Sequence, residues 1–180
     1  MLLHSLWLAE RPNIGDGLKA ALLRQFSSPE ELYYCRESEL AALEMSGMTP
    51  EALEALGDKS LDGAEKTLET CLKDGVSFLT PEDPKYPDRL RALYDAPVLL
   101  YYKGTLPEFD NLPTIALVGT RKASPYGLKT AQRLGGEIAQ GGGLVVSGLA
   151  EGVDAAAMVG ALNQRAGVVG VLGCGIDLVY

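Results

Sequence analysis

A chain of 180 residues with 47% apolar and 22% charged side chains can bury a core in one ordinary domain or two small ones, which excludes a disordered or fibrous protein. No apolar run reaches bilayer-spanning length, and MLLHSLWLAERP lacks the basic start and long apolar core of a secretion signal, so a cytoplasmic protein with no membrane partner is expected. The net charge of −8 is uneven, with 11 Lys/Arg against 20 Asp/Glu up to Asp110 and 5 against 4 beyond it; this excludes a continuous basic surface and confines any nucleic-acid contact to one locality.

Residues 1–70 read as a small all-α domain. WLAE, LKAALLRQF, ELYYC, ESELAALEM, PEALEALG and LDGAEKTLETCLKDG carry apolar residues at three- and four-residue spacing, interrupted by Gly, Pro and Ser. Ile14-Gly15-Asp16-Gly17 ahead of LKAALL has the form of a helix-hairpin-helix turn, and MSGMTPEALEAL of a poorer second copy. Free amides at such a turn can hold a DNA phosphate. The plainer reading, a turn between helices, is preferred, because acidic residues up to Glu54 outnumber the four basic ones, Arg11, Lys19, Arg24 and Arg36. Cys35, Cys71 and Cys174 are too few and too scattered for a disulfide framework or a zinc site, and Cys174 is expected as a small buried filler. His4 is the only histidine and stands far from the glycine-rich segments, which speaks against Ser–His or Cys–His catalysis there.

From Gly75 the texture changes, and a second domain is expected over residues 75–180. VSFLT and PVLLYYKG read as strands on either side of PEDPKYPDRLRALY, a proline-punctuated loop with a short helix, and they are expected to extend an α/β sheet. GTLPEFDNLPT then reads as a surface loop.

Three apolar strands follow, each ending in glycine: TIALVGTRKASPYG, LVVSGLAEGVDAAA and VVGVLGCGID. Short runs rich in Val, Ile and Leu alternating with helical patterns predict a parallel sheet, whose strand ends face one ligand-binding crevice. Ser124-Pro125 predicts a helix from Pro125 to about Gln140, with Tyr126, Leu128, Ala131, Leu134 and Ile138 facing the sheet. The Gly119-Thr120-Arg121 turn would then lie at a helix start, where backbone, dipole and guanidinium can act on one anion. Neither a G-x-G-x-x-G fingerprint nor a Walker A loop is present, so a nucleotide or polynucleotide fits better than a redox dinucleotide. Lys122, Lys129 and Arg133 complete the one basic cluster. Ser147-Gly148 offers a hydroxyl and an amide, Gly173 to Gly175 a third rim, and Asp154 a helix cap in preference to a general base.

VGTRKASPYG, SGLAEGVDAAA and LGCGIDLVY, preceded by DPKYPDRLRALYDAPVLLYYKG, resemble in order and spacing the DNA-processing protein A family, DprA or Smf. The resemblance implies an α/β protein in which an N-terminal domain of sterile-alpha-motif or helix-hairpin-helix type precedes an extended Rossmann-like domain. It implies a mediator without catalysis or cofactor that binds single-stranded DNA, protects it and helps load the RecA recombinase in natural transformation. Carried over residue by residue, the DNA pocket would comprise Gly119, Arg121, Ser147, Gly148, Gly173 and Gly175, with Lys122 as a backbone contact. Glu151 and Met158 stand where the family commonly has arginine and histidine, so Glu151 is left out of the pocket. The sequence ends at Tyr180, where the family continues. A truncated sheet is therefore expected, with further basic contacts, a homodimer surface and a recombinase-binding surface in the missing half.

The alternative from another class is a Rossmann-like enzyme that binds nucleotides or hydrolyses their N-glycosidic bonds. Its P-G-G-x-G-T-x-x-E signature carries the reacting glutamate, and GGGLVVSG has none in register.

Overall fold

The computed structural model describes residues 2–178. It is a mixed α/β structure whose chain divides by compactness into Met1–Gly104 and Thr105–Tyr180.

The first unit opens with six helices, α1 Leu2–Ala9, α2 Asp16–Gln25, α3 Pro29–Tyr34, α4 Glu37–Ala41, α5 Pro50–Gly57 and α6 Asp62–Lys73. Two of them start by the same chemistry. The side chains of Ser28 and Thr49 accept the N–H groups of Glu31 and Ala52, and Pro29 and Pro50 take the first turn, where no amide donor is needed. The apolar stripes meet in one core in which Leu6, Trp7, Leu8, Leu22, Leu32, Leu40 and Leu56 are fully buried. The Trp7 indole N–H, costly to bury unpaired, donates to the Asp58 carbonyl at 2.8 Å.

β1 Ser77–Leu79 and β2 Leu100–Tyr102 correct one expectation: they do not extend the parallel sheet but pair with each other, antiparallel, with Phe78 opposite Tyr101. Compactness groups this pair with the helices. The segment between the strands, with the short helix α7 Asp88–Arg91, is held by two side chains. The Arg91 guanidinium donates to the carbonyls of Pro81 at 2.6 Å, Tyr86 at 2.8 Å and Asp83 at 3.2 Å. Tyr86 is wholly buried and its hydroxyl donates to the Pro97 carbonyl at 2.8 Å. The DPKYPDRLRALYDAP block is thus a structural clasp. Tyr86→Phe keeps the ring but removes that bond, and should lower the urea-unfolding stability of the chain by about 1 kcal/mol without changing its secondary structure.

The second unit carries β3 Thr114–Ala116, α8 Pro125–Gln140, β4 Leu144–Ser147, α9 Val153–Asn163 and β5 Val168–Gly170. The strands form a parallel sheet in the order β3-β4-β5, with Ile115 beside Val145 and Val145 beside Val168. This βαβαβ run is the repeating unit of Rossmann-like folds, and α8 and α9 cross in direct contact. The α8 bounds match the sequence expectation, and of its expected inward face Ala131 is buried and Ile138 half-buried, but the rest differs. Tyr126 is 79% exposed, and Leu128 and Leu134 are exposed as well, whereas Ala131, Gly135 and Gly136 are buried. Backbone proximity explains this: a Cβ on Gly135 would fall on the Ala157 carbonyl, and one on Gly160 on the Gln132 carbonyl. Helices this close exclude large side chains from the seam, so the leucines turn outward.

Candidate nucleic-acid interface

The ends of β3, β4 and β5 bring the glycine loops side by side, because the register that pairs Ala116 with Val146 and Val146 with Val169 continues in hydrogen bonds from Leu117 N–H to Val146 and from Val171 N–H to Ser147. The first loop leads into α8, where the Ser124 hydroxyl accepts the Gly127 N–H at 3.2 Å, as Ser124-Pro125 predicts.

One buried carboxylate organises these ends. Asp154, 4% exposed in the first turn of α9, accepts the Gly119 N–H at 2.9 Å on one oxygen and the Gly148 N–H at 3.1 Å on the other. Burial pushes its pKa up, but the N–H of Gly119, the Ser147 hydroxyl and the N–H groups of Gly148 and Ala150 together outweigh burial and hold it below the ordinary aspartate value. The Ser147 hydroxyl has one proton, and its 2.6 Å bond to the Leu117 carbonyl uses it, so we assign the stabilisation of the anion chiefly to the amides. Asp154 is therefore neither a helix cap nor a free general base, since the cap position of α9 is Gly152 and both carboxylate oxygens are engaged.

The loop is fastened a second time at Gly152, whose φ of +87° suits glycine and whose Cβ, if present, would collide with the Thr120 carbonyl. The Val153 N–H donates to that same carbonyl at 3.2 Å. A Cβ on Gly119 would meet the Val153 side chain at 2.7 Å, so the space above this glycine belongs to α9.

The pocket residues read from the sequence separate into two groups. Gly119, Ser147 and Gly148 form the internal fastening, with Ser147 only 3% exposed. Arg121, Lys122, Gly173 and Gly175 are exposed, and among the described residues Arg121 and Lys122 form no ion pair. Cys174 is exposed, not a buried filler, and Val179 and Tyr180 of that block lie outside the described residues. Glu151 is exposed and Met158 buried at 4%.

The helical unit is less available to an anion than its hairpin suggests. Gly15 is the cap of α2, with no side-chain bond to it, but the Tyr94 ring lies 3.5 Å from where a Cβ of Gly17 would stand. All four of its early basic residues have internal partners. Arg11 pairs with Asp58 at 2.9 Å, Lys19 donates to the Ala9 carbonyl at 2.5 Å, Arg24 donates to the Tyr94 carbonyl at 2.9 Å, and Arg36 pairs with Glu39. Burial lowers the Lys19 pKa. Among the described residues no cluster of His, Cys, Asp or Glu is placed to hold a metal ion, and no helix is long and apolar enough to cross a membrane.

Comparison with known proteins agrees with this architecture. The chain is 31% identical over 180 residues to Protein Smf of Synechocystis sp., an alignment covering 97% of this chain and 45% of the relative. It is 40% identical over 102 residues to the DNA processing protein DprA of Streptococcus pneumoniae, covering 54% of this chain and 34% of that one. The X-ray structure of the Streptococcus pneumoniae protein superimposes with a TM-score of 0.72 at 26% identity, over 100% of this chain and 60% of the other. The chain thus spans about half the length, or less, of the curated relatives it matches. Residues 77–180, more than half of the chain and including every strand, the Arg91 clasp and the glycine loops, match the model of DNA recombination-mediator protein A, and the chain belongs to that family.

Proposed function

We propose that this chain carries the single-stranded-DNA-binding face of a recombination mediator, and that the whole protein protects DNA strands and delivers them to the RecA recombinase during natural transformation, acting in the cytoplasm as a homodimer and without catalysis. The observation that carries the reading is the loop holding Arg121 and Lys122. Both side chains are exposed at the strand ends and unpaired among the described residues, while the loop beneath them is fastened through Gly119 and Gly152. A guanidinium on a fixed loop can form a forked bond to a phosphate without first breaking an internal ion pair. The family membership supports a role in DNA recombination.

Two features set the terms of binding. The amides of Gly119 and Gly148 serve Asp154, so the phosphate would be held by side chains and not by those amides. The acidic remainder of the chain would repel DNA elsewhere, which keeps contact local and salt-sensitive.

Fluorescence anisotropy with labelled single- and double-stranded oligonucleotides over a salt series tests the reading. Arg121→Ala should weaken single-strand binding by about 1.5–3 kcal/mol, roughly tenfold or more, with an unchanged melting temperature. Equal affinity of the two proteins at matched salt would remove Arg121 from the interface. Recombinase delivery is measured as the rate of RecA assembly on single-stranded DNA with and without the protein, and a rate increase is expected.

A further inference from the structure

The outer face of α8 presents an aromatic ring within a run of cations. Ala131, Gly135 and Gly136 are buried, and the positions of Gly135 and Gly136 abut Ala157 and Gly160 of α9. At 100° per residue, Tyr126, Lys129 and Arg133 fall within about 60° of one another, with Tyr126 and Arg133 turned away from that seam and Lys129 at its edge beside Gly136. All three are exposed, Tyr126 by 79%. They descend the helix over about 10 Å, starting next to the loop of Arg121 and Lys122. Lys129 forms no ion pair among the described residues, whereas Arg133 is half-neutralised by Glu137 at 2.8 Å. At the strand ends, Val118 and Val171, in the row two residues beyond Ala116 and Val169, are 69% and 61% exposed.

Among the described residues the Tyr126 ring is left largely to solvent, with the exposed cations Lys122 four residues before it in the sequence and Lys129 three after. We propose that this face is a track for unpaired DNA leaving the strand-end loop. The Tyr126 ring stacks a nucleobase there, and Lys129 holds the phosphate on its far side. The occupant follows from the chemistry: alternating cation, flat ring and cation complements alternating phosphate and base. Paired bases of a duplex are already stacked and cannot lie on the ring. Tyr126 would then supply the preference for single strands, which Arg121 and Lys122, reading only phosphate, cannot supply. This track rests on the DNA-binding reading given above.

The test uses the full chain with a single-stranded oligonucleotide and with one of equal length whose bases are removed to leave abasic sites, read by anisotropy at fixed salt. The wild type should bind the normal strand more tightly than the abasic one. Tyr126→Ala should lose about tenfold on the normal strand and little on the abasic one, while Tyr126→Trp should retain wild-type affinity. Lys129→Ala should weaken both strands equally and reduce the salt slope by about 0.7. Equal loss from Tyr126→Ala on the two strands, or no loss on either, would overturn the track while leaving Arg121-dependent binding in place. A wild-type chain that binds neither oligonucleotide would overturn the DNA-binding reading itself.

Discussion

Asp154→Ala is expected to destabilise the parallel-sheet unit by about 3–5 kcal/mol, because it leaves the N–H groups of Gly119 and Gly148 without their acceptor at buried strand ends and each orphaned donor costs about 1–3 kcal/mol. Against a total of about 5–15 kcal/mol for an ordinary domain, that is a large share. Asp154→Asn should help little despite its matching shape, since its amide presents one acceptor and one donor to two N–H groups, and one pair becomes donor against donor. The effect has a defined pH dependence. The folded pKa of Asp154 lies below the ordinary value, so its contribution is fully present above the unfolded pKa and is lost as pH falls through the folded one. Urea unfolding at neutral pH should show the full difference between wild type and Asp154→Ala, and the difference should shrink on acidification below about pH 4. A gap that stays constant across this range would show that the carboxylate's charge contributes nothing.

Gly135→Val should be comparably damaging. A Cβ at this position would land on the Ala157 carbonyl, which belongs to a neighbouring helix backbone and not to the end of a side chain, so relief requires α8 and α9 to move apart. Overpacking usually costs about 1–3 kcal/mol, and a clash with backbone belongs at or above the upper end. Gly127 supplies the contrast on the same helix. A Cβ there would find the Ser124 hydroxyl at 3.5 Å and the Ala123 methyl at 3.6 Å, both ordinary contacts, so Gly127→Ala should be neutral or stabilising by up to about 1 kcal/mol. Thermal melts followed by circular dichroism separate the two. Similar melting temperatures would mean that the helix pair separates at little cost.

What could be read in advance was local. Ser124-Pro125 set the start of α8 because a capping hydroxyl and a proline at the first turn have one common use. The strands at 114–116, 144–147 and 168–170 were legible because β-branched runs between glycines have few other homes. Three features depended on tertiary proximity and were not. VSFLT and PVLLYYKG have the same strand propensity whether they join a larger sheet or pair with each other, and propensity alone cannot choose. The apolar periodicity of α8 points Tyr126, Leu128 and Leu134 inward together with Ala131 and Ile138, yet the seam with α9 has room for Ala131 but not for the larger three, and falls to Gly135 and Gly160. Asp154 reads as a cap from its place at a helix start, because nothing in SGLAEGVDAAA reveals that the Gly119 amide, 35 residues earlier, lies within reach. A hint was present in Gly152, a glycine directly before a helix that begins with valine and aspartate, where the chain must pass close to another backbone.

The internal carboxylate also bears on the entropy of capture. Fixing the backbone of an unrestrained residue costs about 1–2 kcal/mol, so a free loop of a few residues would surrender several kcal/mol to become ordered around its ligand. Here the Gly119–Arg121 turn is tied at Gly119 by Asp154 and at Thr120 by Val153, and that ordering is completed during folding. On the proposed reading, a phosphate at this turn would have side chains such as Arg121 and Lys122 to immobilise but not the turn's backbone, and more of the contact energy would be retained as affinity.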